Sequence, residues 1–96
     1  MNQNKHEQQN RLDMYRRRMR LTPSQIAQLL GHRDTALWSD YENGKHLPSL
    51  TNALRMGIIL RVPIEFLFYS LHDALRSAIR AEEERIAAQP CQRALF

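Results

Sequence analysis

The chain has 96 residues, 43% apolar, 7% aromatic and 25% charged, close to the globular average and sized for one small core, which excludes two domains and a disordered chain. One cysteine excludes an intrachain disulfide, and His6, His32, His46 and His72 lack the close pairings of zinc ligands, so neither metal nor cofactor is expected. The net charge is +4, no apolar run reaches the roughly 18 residues of a membrane span, and MNQNKHEQQN lacks the apolar stretch of a secretory signal, so a cytoplasmic protein without a membrane partner is expected.

Residues 1–9 read as a flexible polar arm. From residue 1 to 20, Lys5, Arg11, Arg16, Arg17, Arg18 and Arg20 outnumber Glu7 and Asp13, and this difference is the whole of the net charge. A basic segment on a neutral body is a footprint for a polyanion. Asn10 is placed to cap a first helix, in which Leu12, Tyr15 and Met19 form one buried stripe.

In LTPSQIAQLLG, Thr22 is an N-cap, Pro23 suits the first helical position, and Gln25 sits where a capping-box side chain reaches back. Ile26, Leu29 and Leu30 form the apolar side of this second helix, and Gly31 ends it. Asp34 marks the start of a third helix running through TALWSDYEN to Gly44, with Leu37, Trp38 and Tyr41 as inward candidates. HLPS breaks the chain. Ser49 caps a fourth helix with the stripe Leu50, Leu54 and Ile58, ending before Pro63. Gly57 is costly inside a helix, which points to close approach of another backbone. PIEFLF makes a brief fifth helix.

From Ser70 to Gln89, residues Leu71, Leu75, Ile79, Glu82 and Ile86 share one edge of an amphipathic helix longer than the body needs. Its stripe either packs back on the body or pairs with a second copy, and dimerisation through Leu71, Leu75, Ile79 and Ile86 is the expectation. Pro90 ends the helix, leaving 90–96 as a tail. No segment alternates with a period of two, so the fold class is all-α: a five-helix body over 10–69 and a C-terminal helix over 70–89.

Short helices with a glycine-containing turn between the second and third suggest a helix-turn-helix unit. With LTPSQIAQLLG, SDYENGKHLPSL and VPIEFLF in this order, the stretch Leu12 to Phe68 resembles the Cro and phage-repressor (XRE-like) family of DNA-binding domains. The resemblance implies a structural ion pair between Arg16 and Glu42. It also implies core positions at Ile26, Ala27, Leu30, Trp38, Leu50, Leu54, Val62, Ile64, Leu67 and Phe68, and a small residue at Gly57 against the neighbouring helices.

The third helix would then read double-stranded DNA. Its outward positions map to Thr35, Ala36, Leu37, Ser39 and Asp40, with Asn43 and Lys45 near the DNA backbone, Thr22 and Gln25 at the start of the second helix, and Arg33 in the turn. Arg17, Arg18, Arg20 and His46 are additional phosphate contacts. The chain departs from the family pattern in a turn one residue longer at GHRD, in Pro23 where many members carry a phosphate-holding glutamine, in Asp40 where an arginine or glutamine often reads bases, and in Ala36, which offers only a methyl.

The implied function is a nucleoid-associated transcriptional regulator, a repressor binding an inverted-repeat operator as a homodimer. Asp34, Asp40 and Glu42 make the third helix acidic, which favours the alternative of a protein-interaction module, or an antitoxin-like partner protein, on the same scaffold. An enzyme is not expected, because no phosphate loop, nucleophile elbow or ligand cluster is present.

Overall fold

The computed structural model describes residues 9–89, so the expected tail from residue 90, with Cys91, and the arm before Gln9 lie outside the described residues. The described chain is helical, without strands: α1 (Leu12–Arg18), α2 (Pro23–Leu29), α3 (Ala36–Glu42), α4 (Leu50–Leu60), α5 (Ile64–Leu67) and α6 (Tyr69–Ala87).

Side-chain caps set several of these boundaries. Asn10 Oδ1 accepts from the Leu12 N–H at 3.0 Å, while Asn10 Nδ2 donates to the Tyr41 carbonyl at 2.8 Å, so one residue starts α1 and ties it to α3. Thr22 and Gln25 form the full capping box of α2, Thr22 Oγ1 accepting from the Gln25 N–H and Gln25 Oε1 from the Thr22 N–H. Gly31 follows the end of α2 at φ +84°. Thr35 precedes α3 without a side-chain cap, and Asp34 Oδ1 instead accepts from the Ala36 N–H at 3.0 Å. α3 is shorter than its sequence suggested, ending at Glu42 ahead of Gly44 at φ +77°. Ser49 Oγ caps α4 at Asn52 N–H.

The core gathers Leu12, Tyr15, Ile26, Leu30, Trp38, Tyr41, Ala53, Met56, Leu60, Leu67 and Phe68, with Trp38 wholly enclosed. Two stripes turn out differently from their periodicity. Leu29 points outward from α2, which buries Ile26 and Ala27 instead. On α4, Leu50, Leu54 and Ile58 are exposed, Ile58 by 76%, and the buried face is Ala53, Met56 and Leu60. α4 is apolar on both sides, so spacing alone does not choose its inner face.

Gly57 explains part of that choice. A Cβ there would lie 3.1 Å from the Val62 carbonyl oxygen and 3.1 Å from Ile64 Cγ2, because Arg61 takes the left-handed conformation at φ +60° and folds the chain back on α4. α5 then leads into α6 through Phe68 alone, a buried residue with φ −112° and ψ 55°.

α6 has no buried residue and extends from the body, giving the molecule extents of 55 × 33 × 22 Å. Leu71 packs partly on the core, while Leu75 and Ile79 are 54% and 53% exposed. Packing of the whole stripe back onto the body does not occur.

Gly57→Ala will lower stability by about 1 kcal/mol, reversing the usual gain of alanine over glycine in a helix, because a backbone oxygen blocks the new methyl. Urea denaturation of the two proteins measures the difference.

Candidate nucleic-acid interface

Arg16 organises the packing of α3. It is 8% exposed, and its guanidinium satisfies three acceptors on different segments. Nε donates to Glu42 Oε2 at 2.6 Å, Nη1 to the Leu21 carbonyl at 2.9 Å, and Nη2 to Asp13 Oδ1 at 2.9 Å. Trp38 Nε1 donates to the same Glu42 oxygen at 2.7 Å. One carboxylate oxygen thus joins α1 to two turns of α3, while the same arginine holds the entry to α2. The Arg16–Glu42 pair lies where the family resemblance placed it, whereas Leu50 and Leu54, which the resemblance put in the core, are exposed.

Around Tyr41 the lock continues. Its ring stands edge-on to Trp38 with centroids 6.5 Å apart, and its hydroxyl accepts from Asn52 Nδ2 at 3.4 Å. α3 is therefore held from α1 and α4, and its remaining face is open. Ala36 and Ser39 are exposed, Thr35, Leu37 and Asp40 are half-buried, and Asn43, Lys45 and His46 lie exposed beyond its end. Leu37 packs against the core rather than standing free.

Charge along this surface is mixed. Asp40 Oδ2 is 3.7 Å from His46 Nε2, so the single acid on the outer side of α3 faces a basic partner. Among the described residues, Arg33 and Lys45 have no carboxylate partner, which leaves a free cation at each end of α3. Of the first-helix arginines, Arg17 pairs with Asp13 at 2.9 Å and Arg18 lies over the Tyr15 ring, 5.8 Å from its centroid. Arg20 occupies the left-handed region at φ +61° and is exposed.

A polar cleft of about 370 Å³ opens between α2 and the start of α3, lined by Ser24, Ala27, Gln28, His32, Arg33, Asp34 and Thr35. Among the described residues, the buried His32 Nδ1 has no hydrogen-bond partner. The lining includes hydroxyl, amide and guanidinium donors, and one oxygen of its single acid, Asp34, is engaged by the Ala36 N–H. Such a donor set suits an anionic oxygen. Ser24 and Gln28 were missed from the sequence. Their four-residue spacing on α2 was the available signal, overshadowed by the capping residues Thr22 and Gln25.

Thr22 and Gln25 face solvent, but their mutual hydrogen bonds commit the Thr22 oxygen and the Gln25 carbonyl oxygen to the cap. Gln25 retains its amide donors for a ligand. No protein-family model matches the chain, and no curated protein or solved structure is significantly similar to it.

Arg16→Ala will cost about 3 kcal/mol, since it strands the Glu42 carboxylate in a half-buried site. Glu42→Gln will cost less, because an amide oxygen still accepts from Trp38. Thermal and urea unfolding of both variants, read by Trp38 fluorescence, will give that order.

Proposed function

We propose that this chain is a sequence-specific DNA-binding regulator of transcription, a repressor whose α2–turn–α3 unit forms a helix-turn-helix reader and which binds an inverted repeat as a homodimer. The observation that carries the reading is α3 itself. Arg16, Trp38, Tyr41 and Asn52 hold its inner side, while Thr35, Ala36, Ser39 and Asp40 are spared from the core and flanked by Arg33 and Lys45.

Each residue type supports a role on a duplex. Arg33 and Lys45 meet phosphates, Ser39 and Asn43 donate to base edges or backbone, Asp40 accepts from a cytosine amino group, and Ala36 touches a thymine methyl. The donors Ser24, Gln28 and Thr35 beside Arg33 suit a phosphate at the cleft. A half-site with one acidic reader binds weakly, so two copies joined by α6 would add their contacts.

A second reading is favoured by Asp40: an acidic group in the middle of the reading face opposes phosphate, and a protein partner would meet it with a cation. Asp40→Arg separates the two. On the first reading it changes the preferred DNA sequence, and on the second it abolishes capture of the partner.

Binding to a genomic DNA pool across a salt series tests the proposal. Selective binding with a steep salt dependence is expected, and Arg33→Ala and Lys45→Ala will each reduce the slope of log affinity against log salt by about 1. Absence of any sequence preference at low salt would overturn the reading.

A further inference from the structure

α4, α5 and the start of α6 enclose an open groove of about 490 Å³ whose walls include Leu47, Leu50, Phe68, Leu71 and Leu75. Its rim continues into Ile79 on α6, and Leu47, Leu50, Leu75 and Ile79 are each half or more exposed. An apolar surface running from the body onto a projecting helix is unusual for an isolated chain.

α6, together with the residue that caps it, also carries a regular seam. Phe68, His72, Leu75, Ile79, Glu82 and Ile86 recur at intervals alternating between four and three, the spacing that keeps one side of a helix against another helix. The seam changes character along its length: its first half is apolar and adjoins the groove, while Glu82 interrupts the second half before Ile86. Arg80 and Arg85 pair with Glu83 and Glu82 on the same helix.

We propose that a second copy of this chain covers the groove, with the two α6 helices antiparallel and their twofold axis beside Ser77. In that register Leu75 of each copy meets Ile79 of the other, making two central apolar layers. His72, 3.7 Å from Asp73 on its own helix, faces the second copy's Glu82, which sets the seam's one imidazole, a hydrogen-bond donor, against its one carboxylate. Ile86 arrives opposite Phe68 and enters the groove. The reach is sufficient, because α6 from Phe68 to Ile86 is about 27 Å long at 1.5 Å per residue.

A parallel pair fits less well. It sets Glu82 against Glu82 and leaves Ile86 at the far end, away from the groove. The antiparallel pair uses both halves of the seam and both grooves, so each copy completes a site that the other lacks. This interface rests on the homodimer of the proposed function but not on DNA reading, and its test contains no DNA, so its failure leaves the DNA reading to be judged separately.

The experiment uses the full chain carrying Cys91→Ser. Sedimentation equilibrium should show a dimer, and Ile79→Asp should raise its dissociation constant by about 100-fold or more while leaving the helical circular dichroism unchanged. Glu82→Lys, a surface change that spares the core, should weaken the dimer about fivefold, and His72→Glu in the same chain should restore it.

Mild oxidation of mixed chains fixes the register. Chains with Leu75→Cys should cross-link to chains with Ile79→Cys, and Glu82→Cys chains should not link to each other. A monomer at high micromolar concentration would overturn the proposal. So would a dimer joined through self-links at positions 79 and 82, or a dimer unaffected by Ile79→Asp.

Discussion

A single buried cation sets the geometry of the body. The Arg16 guanidinium carries donors in a fixed planar fork, and three of them end on Glu42, Asp13 and the Leu21 carbonyl. Burying a guanidinium is costly unless its donors and charge are matched, so the groups around it cannot rearrange independently. Since Trp38 donates to the same Glu42 oxygen, the largest core side chain is registered by that charge network as well as by its shape. The outer face of α3 inherits its position from this arrangement.

This division of labour explains how seven-residue helices hold their places. Helices of this length are marginal in water alone. Here α2 is completed by its capping box, α3 is braced by side chains from α1 and α4, and the start of α1 is joined to α5 by the Arg11 N–H to the Leu67 carbonyl at 2.9 Å. Local hydrogen bonds define where helices begin, and the Arg16 network and the enclosed Trp38 define how they meet.

Much of that local order was legible in the residues. Thr22, Gln25 and Ser49 announced their caps, Gly31 its positive φ, and Gly57 a close approach, because each depends on chemistry within a few positions. The inner face of α4 was not legible. Leu50, Leu54 and Ile58 make as regular a stripe as Ala53, Met56 and Leu60, and the choice rests on contacts across the chain. Leu29 misled for the same reason. At the candidate interface, matching Glu42 to Arg16 placed Ala36 and Ser39 on the exposed side of α3 but wrongly put Leu37 there, since it packs against the core, whereas the cleft at Ser24, Gln28 and His32 required the packing of α2 against α3. The proximity of Asp40 to His46 was equally hidden, as it joins a helix to the loop beyond it.

The joint at Phe68 has its own implication. A single buried residue separates α5 from α6, and the long helix leaves the body as a spoke. Along such a spoke, distance and rotation are inseparable: one inserted residue advances everything beyond it by about 1.5 Å and swings it by about 100°. Length changes in α6 therefore keep its apolar side on nearly the same heading at steps of about seven or eleven residues, so reach along the helix comes in discrete increments.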